Sequence, residues 1–216
     1  MPQFGNVAID FDLDDNFQMA ICEEFMIYKI YNLNLLKFNP DYCIDCGTYR
    51  GYFTFLMAGK FPNCKTICIE PQPDNYRKLL NAANENNIEL FSSHNNALSL
   101  KKGEVSLELW GSNLVKKVEG EVNGQYVDIP TIDLYEILAK IGNSDNFVLK
   151  MDIEGSELDF FPECISRLPT TCTVYLETHD GWNSLNDIKQ RFVDNGFSFT
   201  VLRERSLYID SFAQRN

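Results

Sequence analysis

The sequence predicts an α/β protein: a mostly parallel sheet with helices on both faces and an antiparallel strand pair at its carboxyl end. Three observations carry that prediction. Tyr42 to Glu70 (Y-C-I-D-C-G-T-Y-R-G-Y-F-T-F-L-M-A-G-K-F-P-N-C-K-T-I-C-I-E) reads as a buried strand, a glycine turn, a helix, a loop and a second buried strand ending on an acid. Asn146 to Asp152 (N-F-V-L-K-M-D) is another apolar run closed by an acid. Phe197 to Leu202 and Ser206 to Ile209, around a turn at Arg203 to Arg205, form the closing pair.

The elements follow in order. Asp14 or Asp15 caps a helix expected to run to about Leu36, with Phe17, Ile21, Phe25, Tyr28 and Leu33 apolar. Residues 1–40 are thus a helical extension, either covering a sheet edge or forming a lid, ahead of a domain over 41–216. Pro73 to Asn87 is a helix on the face of Tyr76, Leu79, Leu80 and Ala83, and Ile88 to Phe91 a third short strand. Ser93 to Leu98 (S-H-N-N-A-L) is its following loop, with His94 at the surface. Glu104 to Trp110 alternates as a strand, Gly111 to Gly124 is a polar loop, and Tyr126 to Pro130 is extended. This hairpin insertion, about 103–130, lies beside the crevice, a place suited to substrate selection. A helix spans Thr131 to Ile141, and Pro162 and Pro169 bracket another. Thr173 to Glu177 is a core strand leading to Thr178 to Gly181 (T-H-D-G), and Ser184 caps a helix ending before Gly196.

Composition narrows the function. The 216 residues carry a formal net charge of −12, which argues against a nucleic-acid partner, since a phosphate backbone needs a basic groove. Lys116 and Lys117 are merely a scattered pair. A neutral or cationic small molecule, or a sugar hydroxyl, suits this balance. No apolar run is long enough to cross a membrane, and Met1 to Ala20 carries acids where a secretory signal would be basic and then apolar. Seven cysteines, an odd number, suit reduced thiols in a cytoplasm. Cys43 and Cys46, with Cys64 and Cys68 following, invite a zinc or redox reading, but the first two fall in the strand-to-turn segment.

The turn D-C-G-T-Y-R-G separates two cofactors. A dinucleotide wants G-x-G-x-x-G so that its pyrophosphate rests on bare backbone; here Tyr49 stands at the second glycine position. Asp45 would repel a pyrophosphate and suits a ligand with an ammonium group, which S-adenosylmethionine has. Gly47 allows the tight turn and close approach, and Glu70 can accept both ribose hydroxyls. The turn resembles the first motif of class I methyltransferases.

K-M-D-I-E-G-S-E, from Lys150 to Glu157, resembles the signature of the FkbM-type methyltransferases, S-adenosylmethionine-dependent enzymes that mostly methylate hydroxyl oxygens. D-C-G-T-Y-R-G, I-E-P-Q-P-D-N-Y, an N-N-A loop and a T-I-D segment precede it in matching order, so the resemblance covers roughly Asp41 to Asp180. Cys46 and Tyr49 depart from the small residues usual around the first glycine. The resemblance implies a Rossmann-like class I methyltransferase fold with a seven-stranded sheet. It also implies S-adenosylmethionine as cofactor and O-methylation of a sugar or natural-product hydroxyl.

In an open α/β sheet the ligand lies across the carboxyl ends of the central strands. Cofactor contacts are accordingly expected from Asp45, Gly47, Thr48, Gly51, Glu70, Pro71, Asn96, Ala97 and Asp152, with Asn96 and Ala97 at the adenine edge. The catalytic candidates are His179, Asp152 and Glu154. Asp152 and Glu154 can alternatively shape a turn and helix start. His179 reads either as the base that takes the acceptor proton or as a residue holding its loop. No metal is required, although Asp152, Glu177, His179 or Asp180 offer ligands for a divalent ion. Two other functions fit less well. An NAD-type oxidoreductase lacks its glycine spacing, and a non-catalytic binding protein would retain the cofactor fold without turnover.

Overall fold

The structure is a computed structural model describing residues 3–4, 7–8, 16–25, 29–110, 114–117, 126–142, 146–169, 171–179, 182–205 and 208–215. The chain opens with a two-residue antiparallel pair, β1 (Gln3–Phe4) and β2 (Val7–Ala8), then α1 (Asn16–Glu23). The expected helix to Leu36 is not formed. After α1 the chain is irregular at Lys29 to Asn32 and makes one 3-10 turn at Leu33–Leu35, capped by Asn32. Ile30, Tyr31 and Leu33 are buried against Phe53 and Tyr175. Aromatic packing onto the sheet thus overrides the helical periodicity of that segment.

The cofactor unit forms where its apolar runs place it: β3 (Tyr42–Cys46), α2 (Tyr52–Lys60), β4 (Lys65–Ile69) and α3 (Pro73–Glu85). Gln72 caps α3 by accepting from Asn75 N at 2.6 Å. Next come β5 (Ser92–His94) and β6 (Ala97–Ser99). The third strand therefore lies beyond Ile88 to Phe91. Ile88 N closes the end of α3 on Ala83 O at 2.8 Å, and Ile88 and Leu90 pack against the α2–α3 cluster. Their hydrophobicity serves a helix, while the polar Ser92–His94 pairs by backbone with β4.

β7 (Glu104–Trp110), β8 (Leu114–Lys117) and β9 (Tyr126–Asp133) join β6 in a four-stranded sheet ordered β6-β9-β7-β8. β8 lies inside the stretch expected to be loop, and β9 continues three residues past Pro130. α4 (Leu134–Ile141), capped by Asp133, and β10 (Phe147–Met151) follow. α5 (Glu157–Cys164) contains Pro162 within it and is not bracketed by prolines. The missing N–H costs one intrahelical bond in a helix of two turns. β11 (Cys172–His179), α6 (Trp182–Asp194), β12 (Phe197–Glu204) and β13 (Tyr208–Arg215) complete the chain. Because α6 begins at Trp182, Ser184 lies inside it and is not its cap.

The main sheet is seven-stranded, ordered β12-β13-β11-β10-β3-β4-β5, parallel except for β13. Alternate residues supply two cores. Ile44, Ile67, Leu149 and Val174 face the helices α4, α5 and α6. Cys43, Val148 and Tyr175 face α2 and the Ile30 to Leu33 segment, while α3 packs on the same side through Leu79 and Ala83.

Parallel register aligns Cys46, Ile69, His94, Met151 and Leu176 in one row. The next residues, Gly47, Glu70, Asn95 and Asp152, therefore stand just past the carboxyl ends of four neighbouring strands, level with Glu177 near the end of β11. Strand order reverses between β3 and β10, which is where such sheets bind ligands.

Candidate active site

A cavity of about 450 Å³ opens over this row, within the range of small-ligand sites. Gly47, Thr48, Tyr49, Glu70, Pro71, Ala97, Asp152, Glu154 and His179 line it, together with Lys150 and Glu177. Asp45, Gly51 and Asn96, three of the expected cofactor contacts, are not in its wall.

Each of the three has a different task. Asp45 is fully buried and accepts from Thr54 N at 3.1 Å and Thr54 Oγ1 at 2.7 Å. Burial raises its pKa, opposed by Lys150 and Thr54. It anchors the start of α2 from behind the loop, outside the cavity wall where a ligand ammonium was expected to meet it. Gly51 sits at φ +92°, where a Cβ would lie 2.6 Å from Leu79 Cδ1 and 2.8 Å from the Phe55 ring. Its glycine is demanded by helix packing. Asn96, half-buried, donates to Pro130 O at 3.0 Å. Its neighbour Asn95, in the strand-end row, donates to Glu70 O and Pro71 O at 2.9 and 3.0 Å.

Gly47 is needed chiefly by the fold. At φ +71° an added Cβ would fall 1.7 Å from Asp152 O, so the two central loops touch there. Thr48 Oγ1 donates to Asp45 O at 2.8 Å and accepts from Ile69 N at 3.1 Å, tying the ends of β3 and β4. Tyr49, left-handed at φ +55°, donates its N–H to Glu70 Oε2 at 2.7 Å, and Gln72 N donates to Oε1 at 2.9 Å. Burial lifts the Glu70 pKa to about 8 despite these two donors.

Lys150 is the site residue missed in the sequence. It is 4% exposed; its Nζ donates to Gly47 O at 2.6 Å and Cys46 O at 3.3 Å, with Asp45 Oδ1 at 3.7 Å and Asp152 Oδ2 at 3.4 Å. Burial opposes its charge, but Asp152 and Asp45 outweigh that and raise its pKa. A lysine inside the apolar run F-V-L-K-M, opposite Asp45 in register, was the available signal.

The floor beside β11 is a charged cluster. His179 Nε2 lies 3.4 Å from Glu154 Oε2 and 3.7 Å from Glu177 Oε1; Nδ1 lies 3.2 Å from Glu157 Oε1. Burial disfavours the imidazolium, yet Glu154 and Glu157 override it and lift the pKa to about 12. These carboxylates favour the imidazolium over the neutral imidazole that a base role needs. Glu177 Oε2 accepts from Arg205 at 2.8 Å, and Arg205 also pairs with Asp210 at 3.2 Å and with Glu24. Burial, then Asp152 and Asp210, raise the Glu177 pKa well above the carboxylate range against the pull of Arg205. Asp180 lies outside the described residues.

The strand order, the glycine loop touching the β10 loop and the strand-end acid Glu70 define a class I S-adenosylmethionine-dependent methyltransferase. Residues 45–199 match the Methyltransferase FkbM domain, and the chain belongs to that family. The cofactor is accordingly S-adenosylmethionine, and the NAD reading gives way. Among solved structures, precorrin-6y C5,15-methyltransferase from Geobacter metallireducens GS-15 is 10% identical with TM-score 0.54, covering 99% of this chain and 100% of its own. The METTL16 methyltransferase domain is 12% identical with TM-score 0.54, covering 98% of this chain and 74% of its own. These likenesses show the fold alone. No curated protein matches the chain by sequence. Among the described residues no helix is long and apolar enough to cross a membrane.

Proposed function

We propose that the protein methylates a hydroxyl oxygen of a small neutral or cationic acceptor, a sugar or natural product. The observation that carries this reading is the acid floor of the cavity: Asp152, Glu154 and Glu177 at adjoining strand ends, backed by Asp159 and Glu24 in the wall. Such a floor favours a cationic cofactor and repels anionic acceptors such as nucleic acid. The free cysteines, five of them buried, support a reducing, cytoplasmic setting.

The residues present fit the cofactor. Glu70, 5% exposed at the cavity wall, has one backbone N–H on each oxygen and lone pairs remaining for two ribose hydroxyls. When bound, S-adenosylmethionine supplies a methyl group on a positively charged sulfur that departs as a neutral thioether. The difficulty lies with the acceptor, a poor nucleophile until its proton is taken. Glu177 is placed to take it: it lines the cavity, and Arg205, 2.8 Å away, favours its ionised form. Lys150 keeps the Gly47 and Asp152 loops in contact so that cofactor and acceptor walls hold a fixed separation. The sheet β6-β9-β7 contributes Ala97, Leu98, Val105, Leu107 and Thr131 to the wall, an apolar surface suited to selecting the acceptor.

Methyl-labelled cofactor, presented with a panel of sugars, phenols and natural products, tests this reading. A labelled methyl ether identified by NMR is the expected product. Label found solely on nitrogen or carbon acceptors would overturn it.

A further inference from the structure

We propose that Asp152, Glu154 and His179 form a divalent-cation site on the floor of the cavity, of the kind that binds Mn²⁺. One ligand atom from each residue lies within 4.8 Å of the other two. The Nε2 to Glu154 Oε2 separation of 3.4 Å is close to the roughly 3 Å between neighbouring positions around an ion bound at about 2.1 Å. Three protein ligands would leave the remaining positions open to the cavity, which all three residues line.

A second observation points the same way. Glu157, 1% exposed, faces His179 Nδ1 at 3.2 Å and accepts from Ile153 N at 2.8 Å. With a buried carboxylate beside one ring nitrogen, the other nitrogen faces the ligand position, the placement of outer partners around metal-bound histidines. Charge balance adds to this. Asp152, Glu154 and Glu157 surround one imidazole, while Lys150 is shared between Asp152 and Asp45, and Arg205 among Glu177, Glu24 and Asp210. Two carboxylate oxygens and one imidazole nitrogen suit a first-row divalent ion better than Ca²⁺ or a thiolate-loving metal.

The role of the ion rests on the hydroxyl-methylation reading; its binding does not. An acceptor hydroxyl bound at an open position becomes more acidic. Its electron pair would stay on oxygen as the O–H bond broke, and the proton would pass to Glu177, which is not a ligand.

The test is a Mn²⁺ titration of the chelator-treated full chain, without cofactor or acceptor, read by the loss of the free-ion electron paramagnetic resonance signal. One site per chain is expected. Glu154→Gln and His179→Gln should each weaken it at least about tenfold, and Glu157→Gln about 10- to 100-fold. A melting scan and S-adenosylhomocysteine binding establish that each variant is folded. No Mn²⁺ bound by the wild type would overturn the site, as would unchanged binding in folded Glu154→Gln and His179→Gln. Failure of the hydroxyl reading would appear separately, in the product of the labelled-methyl experiment, with Mn²⁺ binding intact.

Discussion

The two halves of the cavity are built differently. Around β3 and β4, the side chains that shape the turn find partners within one sequence unit: Thr48 in Asp45 and Ile69, Glu70 in Tyr49 and Gln72, Asp45 in Thr54. Around β10 and β11 the partners come from everywhere. Glu177 meets Arg205, which meets Asp210 and Glu24, while His179 meets Glu154 and Glu157. The first half is a backbone cradle with a preset shape, as a fixed cofactor requires. The second is a cluster of side-chain charges, whose protonation and ion content govern reactivity.

Lys150 joins the halves, so its loss should have the largest effect. Lys150→Met leaves Asp45 and Asp152 facing each other and frees the Gly47 carbonyl. Removing one partner of a buried ion pair costs about 3–5 kcal/mol. Urea denaturation should show the midpoint falling by that stability, with cofactor affinity lost at the same time. A variant as stable as wild type would mean that the halves hold together by packing alone.

Glu177→Gln should act on the second half only. Loss of a general base lowers turnover by about 10²- to 10⁴-fold, while S-adenosylhomocysteine affinity should be unchanged, because Glu177 lies away from the β3–β4 cradle. Single-turnover rates and a calorimetric titration check both parts. Normal turnover would move the proton to another acceptor.

The contrast between halves also explains what the sequence disclosed. β3, α2 and β4 follow one another inside Tyr42 to Glu70 in the expected order, because apolar runs, Gly47, Gly51 and Pro71 are local signals. Glu70 was legible as the last residue of an apolar strand. The Arg205–Glu177–Glu24 network was not, since its members are separated by 28 and 181 positions and sit in ordinary polar surroundings. His179 was legible by position but its neighbours were not, because Glu154 and Glu157 reach it across the β10–α5 turn. Asp45 shows the opposite error: its place in the motif was plain, but not its inward orientation toward Thr54. The helix expected to reach Leu36 failed for a tertiary reason, the packing of Tyr31 on Phe53 and Tyr175 with centroids 4.8 and 5.9 Å away.

Glu70 sharpens the first half by pH. Its folded pKa, about 8, stands above its ordinary 4.5. A group raised in this way contributes stability that is full below about 4.5 and lost as pH rises through 8. Cofactor binding runs in the opposite sense, because the ionised carboxylate accepts from ribose hydroxyls best. Calorimetry should show affinity for S-adenosylhomocysteine rising between pH 7 and 9, and Glu70→Ala should remove about 1.5–3 kcal/mol of binding along with that rise. A flat profile in the wild type would mean the carboxylate is ionised throughout.

The smallest expected effect separates two adjacent asparagines. Register puts Asn95 in the row with Gly47, Glu70, Asp152 and Glu177, and its amide donates to both Glu70 O and Pro71 O. Asn96 is turned outward to Pro130 O on β9. The Asn95 amide fixes the backbone that aims Glu70 at the cavity, so Asn95→Ala should weaken cofactor binding and lower stability, each by about 1 kcal/mol. Asn96→Ala removes an exposed bond between the main sheet and the β6–β9 sheet and should stay within about 0.5 kcal/mol on both measures. Thermal melts with and without S-adenosylhomocysteine distinguish the pair. If Asn96→Ala were the variant that lost cofactor, the row read from strand register would be displaced by one residue, and with it the placement of Glu70 and Glu177 in a common wall.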